Sequence, residues 1–259
     1  MAISEAGNRL TQLHRRQQLA LRAKVVREVM SLWPAWQPKD PSSFKAFEDA
    51  VVLLVHSRSQ QSALIAQGYL RQYRRIEMLA ADPKSAAAAV ETTFAALAKE
   101  RAEEQIRTVV GASARGGVYQ ALKSGQPFRQ AMRHGAVRVS GDIARLVLLG
   151  GSDTITGEAR RSKLRFARVT SGDPCAFCAM LASRGPVYWS EETASFEPHG
   201  NCSCQPEIEY GEGYEWPGRS REYRALWNET GSLNEFRTAL GRGELHEVGA
   251  DFTPVLGNQ

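Results

Sequence analysis

At 259 residues, with 42% apolar and 24% charged side chains, the chain can bury at least one full hydrophobic core, which excludes a disordered or low-complexity polypeptide. Its net charge of +5, from 33 Lys and Arg against 28 Asp and Glu, leans toward an anionic partner but falls short of a dedicated DNA-packaging protein. No run of about 18 apolar residues occurs, and the opening MAISEAGNRLTQLHRR lacks the apolar core of a signal peptide, so a soluble chain made in a reducing compartment is expected.

Up to about residue 150 the apolar positions recur at helical spacing, and the half reads as all helix. The first helix, over 3–33, sets Leu10, Leu13, Leu21, Val25 and Met30 beside Arg15, Arg16, Arg22, Lys24 and Arg27. It is amphipathic and basic, which fits the solvated face of a bundle helix or a contact to nucleic acid. Pro34, Pro38 and Pro41 then break the chain, and Ser42 or Ser43 is expected to cap a long second helix running through Phe44, Phe47, Val51, Val55 and Leu70 to about Ala80. A further helix is expected from Asp82-Pro83, with Val90, Phe94 and Leu97 facing inward. The VVGASARGG stretch reads as a helix hinge, since it lacks the Lys-Ser/Thr ending of a phosphate loop. Gly125-Gln-Pro127 ends that segment before a last long helix with Ile143, Leu146 and Val147. The GGSDTITG run at 150–157 is the expected boundary between a helical domain, 1–150, and a second domain, 151–259.

Beyond that point the texture changes to short alternating runs. KLRFARV predicts a strand, Ser220 opens a helix through Trp227, and Ser232-x-x-Glu235 is a capping box introducing a short helix that stops at Gly241. The expected fold is α+β: an elongated helical half followed by a small α+β unit. The run Arg160, Arg161, Lys163, Arg165 and Arg168 would project partly along one face of the strand, as a phosphate-binding strip or as solubilising charge.

All four cysteines fall between 175 and 204. Cys175-Ala-Phe-Cys178 and His199-Gly-Asn-Cys202-Ser-Cys204 put five soft or borderline donors into one segment, and zinc favours a tetrahedral set of thiolate sulfur and imidazole nitrogen. The expected ligands are Cys175, Cys178, His199 and one of Cys202 or Cys204, with Cys202 preferred because H-x2-C matches the bite of C-x2-C; a site without the histidine is the alternative. In a unit too small for its own large core, such a metal would contribute stability on the order of 10 kcal/mol. A closed four-ligand shell makes the zinc structural rather than catalytic. A redox role for CAFC is set aside because no strand-to-helix context is read around it. Pro174-Cys175-x-x-Cys178 matches half of a zinc-deaminase signature, but the upstream His-x-Glu is missing and with it the proton shuttle. Nucleophile-elbow, metalloprotease and Walker patterns are also absent from the sequence, and no enzymatic activity is expected.

The segment DPCAFCAMLASRGPVY at 173–188 followed by HGNCSC at 199–204 resembles the MuF-like minor head proteins of tailed phages, especially those of actinobacteriophages. The resemblance covers about 165–206; Gly200 and Ser203 depart from the family's H-P-N-C-R-C ending, which leaves metal ligation intact and removes one basic residue. It implies a minor capsid protein in head morphogenesis, associated with the portal protein and the major capsid protein, in contact with double-stranded DNA, and found in the capsid interior after assembly in the bacterial cytoplasm.

Overall fold

The computed structural model describes residues 4–81, 102–170, 174–189, 204–210 and 218–246. Ser4 starts helix α1 (Glu5–Leu32) by accepting the Gly7 N–H at 3.0 Å, so one of the orphan donors of the first turn is satisfied by a side chain. The proline-rich break that follows folds into a 3-10 turn (Trp33–Ala35) whose aromatic residues turn inward: Trp33 and Trp36 meet edge to face at 4.9 Å, and Trp33 meets Phe47 at 5.6 Å.

Helix α2 (Pro41–Ala81) is capped by Asp40 rather than by Ser42 or Ser43. The Asp40 carboxylate accepts the Ser42 N–H at 2.9 Å and the Ser42 hydroxyl at 2.6 Å, which lowers its pKa, while Pro41 occupies the first position, where no donor is needed. The helix expected from Asp82-Pro83 lies outside the described residues. Helix α3 (Glu103–Lys123) runs straight through VVGASARGG without a hinge, turns at Ser124–Pro127, and returns as α4 (Phe128–Arg161).

Gly117 and Gly135 mark where α3 and α4 come closest. A Cβ on Gly135 would sit 2.5 Å from Val118 Cγ2 and 3.0 Å from the Ala114 carbonyl oxygen. Val25 and Val29 of α1, Val51 and Val55 of α2, Ile106 and Val110 of α3, and Val139, Ile143 and Val147 of α4 close a common core. The Arg115 guanidinium lies 3.6 Å above the Phe44 ring.

The GGSDTITG run at 150–157 lies within the C-terminal half of α4 and is largely buried there, and the reason is packing. Gly150 and Gly151 let α4 approach α2 so closely that a Cβ on Gly150 would lie 2.4 Å from the Ser59 carbonyl oxygen. Gly151 N–H donates to Ser62 Oγ at 3.0 Å across that contact. The hydroxyls that read as loop formers bond back into their own helix: Thr154 to the Gly150 carbonyl at 2.9 Å and Thr156 to the Ser152 carbonyl at 3.0 Å.

Strand β1 (Phe166–Val169) pairs antiparallel with β2 (Gln205–Ile208), in the register Phe166 to Ile208 and Val169 to Gln205. Between them lies α5 (Ala176–Ala182); α6 (Ser220–Glu229) and α7 (Leu233–Gly241) follow. The capping box at the start of α7 forms as expected, with Ser232 Oγ accepting the Glu235 N–H at 3.3 Å. The described chain is thus mostly helical with one small two-stranded sheet.

The second half has a shared core. Tyr69, Leu70 and Tyr73 of α2 and Ile155 and Ala159 of α4 pack with Phe166, Tyr188, Cys178, Cys204 and Ile208. A separate cluster joins Ala179 and Ala182 of α5 to Tyr223 and Leu226 of α6 and Phe236 of α7. The sheet is built onto the ends of the long helices, so the unit does not depend on metal as its only source of buried contact.

Candidate functional site

Cys175 is the N-cap of α5, with an extended backbone (φ −64°, ψ 155°) and a sulfur that accepts the Cys178 N–H at 3.5 Å. Cys178 stands one helical turn on, buried, and Arg168 Nη1 of β1 donates to its sulfur at 3.7 Å. The C-x2-C pair therefore follows a strand and opens a helix, the context the sequence reading did not find around CAFC. Cys204 is buried immediately before β2 and lies near Arg15 of α1, whose guanidinium has its pKa lowered by burial against the opposing influence of Cys204. A cavity of about 460 Å³, lined in part by Ala176, Arg219, Tyr223 and Arg237, opens beside the N-terminal end of α5.

His199 and Cys202 lie outside the described residues. Among the described residues no three His, Cys, Asp or Glu side chains converge in a group that could hold a metal ion. What is described suits half of a zinc site. Two sulfurs stand at one helix start, each receiving a hydrogen bond, one from backbone and one from a guanidinium, the outer support a metal-bound thiolate requires.

The basic run divides. Arg168 is only 1% exposed, because both faces of β1 are covered, so it does not present its charge to solvent. Arg165 pairs with Glu209 at 3.0 Å, Arg161 with Glu158 at 2.6 Å, and Arg160 Nε donates to the Thr156 carbonyl at 3.4 Å. Lys163 takes a left-handed backbone conformation, with φ 54°, in the turn between α4 and β1. The five residues do not form a solvent-facing strip.

Sequence reasoning missed a buried polar network where the helices meet the sheet. Glu77, Glu158, Glu207 and Glu209 are all buried. Ser4 Oγ donates to Glu77 at 2.6 Å, and Tyr73 Oη donates to Glu207 at 3.3 Å. Arg74 and Ser162 donate to Glu158 at 3.4 and 2.7 Å. Burial, with Glu207 nearby, raises the pKa of Tyr73, and burial raises that of Tyr210. On the other side of the same junction His14 stacks on Tyr69 with ring centroids 4.4 Å apart, and burial lowers its pKa to about 3. Apart from Ser162, four residues from Glu158, the partners come from distant elements, so no local pattern announces them.

The family model described as VG15 protein matches residues 6–230. The chain belongs to that family. Membership makes it a phage virion-related protein, and the match spans the helical body, the sheet, both described C-x2-C sulfurs and α6. No curated protein and no solved structure matches the chain. Among the described residues no helix is long and apolar enough to cross a membrane.

Proposed function

We propose that this VG15 protein is a minor head protein of a tailed phage, a structural component that contacts the portal protein and the major capsid protein during head morphogenesis and stays in the capsid interior. The observation that carries the reading is the family match over most of the chain. The interior supports it. Charged groups that would serve a catalyst in a cleft are tied to one another instead, as in Glu158 with Arg74 and Arg161, which fits a part that transmits load between a helical body and a small sheet unit. In this role the protein has no catalytic activity. A structural zinc would be held by Cys175, Cys178, His199 and Cys202 or Cys204; it would lock α5 to the start of β2 and add to a core that already exists.

Two measurements test the proposal. Mass spectrometry of purified virions should find the chain at low copy, and heads made without it should be defective; a virion lacking it would overturn the head role. Metal analysis of the purified chain should give close to one zinc per chain, lost in Cys175→Ser and His199→Ala. Because the helices and sheet share a core, these variants should lose metal while keeping most of the helical signal. Wild-type protein free of metal would remove the zinc from the proposal and leave the head role standing.

A further inference from the structure

The segment from Gln105 to Gly141 contains no Asp or Glu and six cations: Arg107, Arg115, Lys123, Arg129, Arg133 and Arg138. Its excess of six exceeds the net charge of the whole chain, +5. Elsewhere cations alternate with acids and several are paired with them, as in Arg58 with Glu28, Arg161 with Glu158 and Arg165 with Glu209. Arg107 is matched too, by Asp49, and Arg115 covers Phe44. The other four are exposed at the α3–α4 turn and along the first three turns of α4, and none has an acidic partner among the described residues.

Their placement is costly on its own terms. Arg129 and Arg133 are four apart on one helix, a like-charge pair that weakens an isolated helix by roughly 0.2–0.5 kcal/mol. Gln126, Gln130, Arg133, His134, Val137 and Arg138 line a shallow groove of about 530 Å³. Gln120 on α3 accepts from Arg138 Nη1 at 2.7 Å and steadies it beside that groove. A protein surface mixes charges of both signs, whereas a run of cations and neutral amides without one interleaved acid complements a uniform polyanion.

We propose that the α3–α4 turn and the first three turns of α4 hold the phosphate backbone of duplex DNA, through Lys123, Arg129, Arg133 and Arg138. The choice of duplex DNA as the polyanion rests on the proposed head role, since that is what a phage head encloses. The contact is to backbone and therefore independent of base sequence.

The test is fluorescence anisotropy of the full chain with a labelled mixed-sequence duplex, across a salt series. Four phosphate contacts predict a slope of log affinity on log salt of about −3.6, a loss of roughly 150-fold between about 50 and 200 mM salt. The quadruple variant Lys123→Ala, Arg129→Ala, Arg133→Ala, Arg138→Ala should bind at least about tenfold more weakly at 100 mM salt, with the slope moving toward zero. A second variant removes the same charge from exposed positions elsewhere, Arg16→Ala, Lys24→Ala, Arg27→Ala, Lys39→Ala, and should bind like wild type. Melting temperature confirms that both variants fold. Equal losses in the two variants, full binding by the first, tighter binding of a single strand than of the duplex, or selective binding of polyglutamate by the same four residues would each overturn the proposal. Failure of the head role shows separately, as absence of the wild-type chain from virions, whatever the DNA result.

Discussion

Acidification should unfold this protein through His14 well before its carboxylates are fully protonated. His14 is 3% exposed, stacked on Tyr69 and beside Gln18 Nε2 at 3.3 Å, and burial holds its folded pKa near about 3 against an ordinary 6.5. The unfolded imidazole takes up a proton as pH falls through 6.5 while the folded one stays neutral. The unfolded state therefore binds more protons between those values, and stability present above 6.5 drains as pH falls toward 3. The linkage amounts to about 2 kcal/mol at pH 5 and reaches roughly 4 kcal/mol near pH 3. His14→Phe keeps a stacking ring and cannot titrate. Urea denaturation of both proteins between about pH 7.5 and 5 should show the wild type losing about 2 kcal/mol more than the variant over that range. Two stability curves that stay parallel across the range would refute burial of a neutral imidazole.

Three further outcomes follow from the helical body and its junction with the sheet. Gly150→Ala places a Cβ against the Ser59 backbone, so α4 and α2 must separate; the expected loss is about 3 kcal/mol, or roughly 6–12 °C in thermal melting. Gly68→Ala on α2 meets nothing within 4 Å and should gain about 0.5–1 kcal/mol, so the same chemical change reverses sign with position. Glu158→Gln removes the buried carboxylate that Arg74, at 3.4 Å, and Arg161, at 2.6 Å, both contact inside the junction, and chemical denaturation should report a loss of about 3 kcal/mol.

The sequence alone determined the elements whose signals are local. Helical periodicity laid out the long helices, the prolines at 34, 38 and 41 set the break after α1, FARV marked β1, and the Ser232 capping box marked α7. The spacing of Cys175 and Cys178 likewise showed, before any fold was known, that two thiols would share one turn. Tertiary structure alone decided the features that depend on what a residue meets across the chain. Gly150 and Gly151 read as part of a domain boundary and became a close helix contact, because Ser59 and Ser62 lie opposite. Arg168 read as surface charge and became one of the most buried side chains, because both faces of β1 are covered, and the small C-terminal sheet acquired a core from Tyr69 and Tyr73, about a hundred residues earlier in the chain. Periodicity and turn chemistry are properties of a few neighbouring residues, whereas burial and ion pairing are set by whichever distant residues the fold brings alongside.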